Sequence, residues 1–114
     1  MSVTILQHSD QLVATIAKQP VSIFGTYYTK EVALFIARHL NKAHGWAASL
    51  YLRTIAEGIG CTTRTVRNSL RRLEAISFFK TEFRKHAQIA NWNLASVYRL
   101  GSALLSLFRT PSTQ

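Results

Sequence analysis

The order of apolar and polar positions changes period along the chain, and its clearest stretch is residues 52–73, LRTIAEGIGCTTRTVRNSLRRL. Val66, Leu70 and Leu73 recur at i, i+4 and i+7, which predicts a helix with one apolar face. Leu52, Ile55, Ala56 and Ile59 predict a shorter apolar face just before it, on a helix over residues 50–58. Between the two, Gly60 supplies the positive φ that a tight reversal needs and that a Cβ makes costly. Thr62 stands at the N-cap position, its hydroxyl oriented to accept from a backbone N–H of the next turn. Ala56 is small where the second helix must cross the first.

Weaker patterns flank this core. Leu12, Val13 and Ile16 form a stripe within residues 3–19, with Ser9 as cap, Asp10 in the first turn and Pro20 as stop. Residues 21–25 read as a β-like run or an extended connector ended by Gly25. A stronger helix is predicted over residues 30–42, capped by Thr29, with Val32, Phe35, Ile36 and Leu40 on one face and a glycine end near Gly45. Residues 46–48 have the pattern of a very short strand. Residues 78–84 alternate, with Phe79, Thr81 and Phe83 on one side, and residues 89–94 are the predicted partner strand. Residues 94–108 are apolar nearly all round and read as a helix, with Pro111 just past its end. Val97, Gly101, Leu104 and Phe108 share one of its stripes, and Leu100 and Leu107 lie on another.

Composition narrows the class. A chain of 114 residues with 47% hydrophobic content predicts one folded domain. The net charge of +9 favours a polyanionic partner. Eight basic and three acidic residues lie between Tyr51 and Leu94, so much of the excess surrounds the central motif. A single cysteine excludes an intramolecular disulfide and suits a reducing compartment. The start of the chain has no basic segment followed by an apolar run, and no apolar stretch approaches membrane-spanning length. The expectation is a soluble cytoplasmic protein that has no membrane partner.

The segment LRTIAEGIGCTTRTVRNSLRRLEAISFF resembles the DNA-binding core of bacterial and phage winged-helix regulators and of plasmid replication initiators. The resemblance covers residues 29–94. It implies a mainly α fold with a small β-hairpin wing, a winged helix-turn-helix with extra N- and C-terminal helices. The single domain of residues 1–114 then divides into an N-terminal extension (1–28), the core (29–94) and a C-terminal helix (95–114). Ser77 departs from the pattern, because many relatives have glycine after the Leu-Glu pair that closes the second motif helix.

The resemblance also implies that residues 62–76 are a recognition helix lying in a major groove. Arg64 and Arg67 then offer forks to guanine, and Asn68 a pair of bonds to adenine. Arg53, Thr62, Thr63, Arg71 and Arg72 are expected at the phosphate backbone, which sets register without reading sequence. Lys80, Arg84, Lys85 and His86 place positive charge on the wing, although Glu82 shares the face of Lys80 and Arg84. Against this stands the reading of the arginines as a solvated helix face. Phe79, Phe83 and Trp92 are expected in the core rather than as base-stacking platforms.

Other chemistry is poorly supported. Cys61 has no neighbouring histidine or acid to lower its pKa, and the four histidines lack metal-ligand spacing. No glycine-rich phosphate loop or carboxylate pair is present, so neither enzyme activity nor a cofactor is expected. The helix expected at residues 94–108 suggests a homodimer built on Val97, Leu100, Gly101, Leu104, Leu107 and Phe108. The function expected is sequence-specific binding of double-stranded DNA, as a transcriptional regulator or a plasmid or phage replication or partition factor. The alternative is an inhibitor or adaptor whose basic face meets an acidic or nucleic-acid-bound protein partner.

Overall fold

The computed structural model of the chain describes residues 6–82 and 96–108, which are mainly helical with a small antiparallel sheet. The first helix, α1, spans Ser9–Lys18 and buries Leu12 and Ile16 completely. Its cap is His8 rather than Ser9. The His8 ring nitrogen accepts from Asp10 N–H (3.1 Å), and the Gln11 side chain accepts from His8 N–H (2.8 Å). Residues 21–25 are not extended: Val21–Phe24 form one helical turn, α2, between Pro20 and Gly25 (φ 91°). Three apolar residues around Ser22 are too few to show a period, so their sequence does not separate a strand from a helical turn.

Helix α3, Tyr27–His39, is the central post, with α1 and α5 packed against it. It starts three residues earlier than Thr29 predicts, because Thr26 accepts from Thr29 N–H at 3.1 Å and is the cap. Thr29 is instead buried, and its hydroxyl lies 2.9 Å from that of Thr26 and 3.3 Å from that of Ser69. Val32, Ala33, Ile36 and Ala37 are fully buried. The helix also ends early, at His39. A separate 3-10 turn, Lys42–His44, follows with Asn41 as cap and Gly45 (φ 67°) as its left-handed end. At the other end, Lys30 Nζ donates to the carbonyls of Ala17 (2.9 Å) and Gln19 (2.7 Å), tying α3 to the last turn of α1.

Strand β1 (Ala47–Leu50) leads into α4 (Leu52–Ile59) and α5 (Thr63–Ala75), followed by β2 (Phe79–Glu82). The last two described elements are β3 (Ser96–Leu100) and the single turn α6 (Ser102–Leu105). The sheet order is β1-β3-β2, antiparallel throughout, with Ala48 and Thr81 both opposite Tyr98. One sheet face carries Leu50, Phe79, Ser96 and Tyr98 into the core, while Lys80, Glu82 and Arg99 stand on the other. The period of two expected at residues 78–82 is therefore present.

The helix expected over residues 94–108 is the main correction. Residues 96–100 are the central strand of the sheet and pair with β2, while the strand expected at residues 89–94 falls outside the described residues. Residues 83–95 lie outside the described residues. Leu104 and Phe108 are buried within this chain, and Gly101 is packed against its backbone, so these three are spent on the intramolecular core. Leu107 is exposed, and Val97 and Leu100 are half-buried in β3. The dimer stripe inferred from one helix thus does not exist as a single face.

Candidate nucleic-acid interface

Gly60 closes α4 in the left-handed region (φ 87°, ψ 41°), and the N–H groups of Gly60 and Cys61 both donate to the Ala56 carbonyl, at 2.8 and 3.0 Å. Cys61 is half-buried in this turn, and burial raises its thiol pKa, which disfavours the thiolate. Thr62 then caps α5 as its position predicts, accepting from Thr65 N–H at 3.1 Å. Such a cap contributes about 1 kcal/mol.

Val66, Ser69, Leu70 and Leu73 form the buried face of α5. Their burial fixes the rotation of the helix, and Arg64, Arg67, Asn68 and Arg71 are therefore exposed. The single acid on the helix is Glu74, in its last turn, and its carboxylate accepts from Thr81 N–H at 2.9 Å. This bond ties the end of α5 to β2. It was legible only as a charge in the sequence, since its partner comes from the next element.

Helix α5 ends through Ser77 at φ 62°. Ser77 N–H donates to the Glu74 carbonyl and Phe78 N–H to that of Leu73, each at 3.0 Å, the two bonds of a Schellman end. Serine thus adopts the left-handed conformation that glycine would take at lower cost.

Two expected backbone contacts have other partners. Arg72 donates from Nε (3.2 Å) and a terminal nitrogen (2.9 Å) to the Ile23 carbonyl, bracing α2 against α5. Arg53 forms an exposed i,i+4 pair with Glu57 at 3.6 Å, a geometry worth a few tenths of a kcal/mol. Thr63 is half-buried in the first turn of α5. On the outer sheet face Lys80 lies opposite Arg99, and Arg99 reaches Glu82 at 3.3 Å, so part of the charge there is neutralised within the sheet. Arg84, Lys85 and His86, the expected wing tip, lie outside the described residues, as do Phe83 and Trp92.

Clefts run along both flanks of α5. One of about 260 Å³ faces β2 and includes Arg67, Arg71, Glu74 and Thr81. The other, about 540 Å³, lies between α5 and the corner of α2 and α3. No sequence pattern marks the second, because it joins segments some forty residues apart. Among the described residues no cluster of three His, Cys, Asp or Glu side chains is placed to hold a metal, and no helix is long and apolar enough to cross a membrane. No protein-family model, curated protein or solved structure matches the chain.

Proposed function

We propose that this chain is a winged helix-turn-helix protein that binds double-stranded DNA through α5, as a regulator or a replication or partition factor. The observation that carries the reading is the rotation of α5. Its apolar side is locked into the core, and Arg64, Arg67, Asn68 and Arg71 are left on the outward surface with no acid before Glu74. Such a face attracts a phosphate backbone and carries side chains able to reach base edges. The order of α3, β1, α4, α5, β2 and β3, with a three-stranded antiparallel sheet, supports the winged form. Arg64, Arg67 and Asn68 are assigned to bases, and Arg71 to phosphate. Arg72 serves first as a brace.

Binding to a random duplex across a salt series tests this reading. Several released counterions give a steep fall in affinity between low and moderate salt. Weak, salt-independent binding to every duplex rejects it in favour of a protein partner. The homodimer has lost the continuous helix on which it was based, and the DNA reading does not depend on it.

A further inference from the structure

The flank of α5 turned away from the sheet carries the second surface. Thr26 and Tyr28 approach from the start of α3, Thr65, Asn68 and Arg72 from α5, and Phe24 from the floor. Among the described residues no acidic side chain lines this cleft, and the one charged residue there is Arg72. The Arg72 guanidinium is held by the Ile23 carbonyl, which leaves further N–H donors beyond the two used there. Its position is therefore set before any ligand arrives. Tyr28 is 40% exposed and Tyr27 61% exposed, and their rings meet edge to face at 5.6 Å. Adjacent tyrosines on a surface offer broad apolar area together with hydroxyl donors, as contact surfaces use them.

We propose that this cleft seats the sugar-phosphate strand bordering the duplex on the side of α5 opposite the sheet, an inference that rests on the DNA reading above. The geometry follows from widths. A helix with its side chains is about 10–12 Å across, and the major groove is about 12 Å wide. A helix lying in it is flanked by both strands. On the sheet side Arg71 meets one strand. On the other side the strand meets the Tyr28 hydroxyl and the Thr65 side chain around the anchored Arg72. Neutral donors thus dominate one flank and charges the other. Tyr28 becomes a positioning contact to phosphate or sugar that reads no base.

The two flanks differ in their salt dependence, which the experiment uses. Binding of the full chain to a 20-base-pair random duplex is measured by fluorescence anisotropy over a salt series for wild type, Tyr28→Phe and Arg71→Ala. Tyr28→Phe keeps the ring and removes only the hydroxyl, and unfolding midpoints check that the fold is intact. The expected result is a three- to tenfold loss for Tyr28→Phe at every salt, on a line parallel to wild type. Arg71→Ala is expected to flatten the slope by about one phosphate, near 0.9 in log-log units. Tyr28→Phe affinity within twofold of wild type, with Arg71→Ala still weakened, overturns the cleft assignment and leaves the DNA reading standing. Failure of wild type to bind any duplex at low salt overturns both. A loss in Tyr28→Phe confined to one selected sequence also overturns the proposal, because a backbone contact acts on all sequences alike.

Discussion

Gly101 lies directly against the backbone of Ser77: a Cβ built on the glycine would sit 2.2 Å from the Ser77 carbonyl oxygen. The same carbonyl accepts from Ala103 N–H at 2.9 Å, and Gly101 N–H donates to the Phe78 carbonyl at 2.8 Å. The end of β3 is thereby fastened to the left-handed exit of α5. Gly101→Ala must push backbone, not a flexible side chain, so a loss of about 2–3 kcal/mol is expected in urea unfolding, the upper range for overpacking. A midpoint unchanged from wild type would show that the contact yields freely.

Ser77→Gly is expected to act in the opposite direction. Serine at φ 62° carries a left-handed cost of about 1–2 kcal/mol, and glycine relieves it while adding about 0.4–1 kcal/mol of unfolded-chain entropy. The net expectation is a gain of up to about 1.5 kcal/mol in chemical unfolding. Destabilisation would mean that the Ser77 side chain makes a contribution larger than the strain.

Arg71 and Arg72 are neighbours with separable roles. Arg72→Ala removes the brace on Ile23 and is expected to lower stability by about 1 kcal/mol, the scale of one exposed charge-assisted bond. Arg71→Ala should leave the unfolding midpoint within about 0.5 kcal/mol, as for most surface changes, while weakening duplex binding. Paired unfolding and anisotropy curves on the two variants check the separation. Equal stability losses would remove the distinction.

Tyr98 is fully buried at the centre of the sheet, and its hydroxyl makes no hydrogen bond among the described residues. Burial above all pushes the phenol pKa up, and the Glu74 charge adds to this. A phenol raised in the folded state holds its proton after the unfolded chain has lost it. Stability is therefore fully present below the ordinary tyrosine value of about 10 and falls as pH rises above it. Tyr98→Phe should keep or increase stability at pH 7, because it deletes an unpaired buried hydroxyl. It should also reduce the loss between about pH 10 and 11. Unfolding midpoints at both ends of that range decide, and an undiminished alkaline loss assigns it to other groups.

What was legible in the sequence was local. Gly60, Thr62 and the spacing of Val66, Leu70 and Leu73 specify turn, cap and buried face from interactions within a few residues, and each appears where expected. The faces of Phe79 and Thr81 followed from the same kind of short-range period. Caps were less secure where two candidates stood close together. His8 and Thr26 took the roles read into Ser9 and Thr29, because Ser9 falls inside its helix and Thr29 is drawn toward Ser69 on α5.

The sequence by itself determined the α4–turn–α5 pair and the outward charge of α5, since helical hydrogen bonds and capping close within one turn. Only the tertiary structure decided residues 96–108. Ser96–Leu100 alternates no more clearly than it spirals, and its strand state depends on hydrogen bonds to β1 and β2, from distant parts of the chain. Gly101 then packs against the Ser77 backbone and caps the single turn α6, so strand and turn divide the segment at that position. The same distance in sequence hid the Arg72–Ile23 brace and the cleft beside Tyr28. Strand pairing and groove formation are set by which distant surfaces meet, and a periodic pattern carries no record of that meeting.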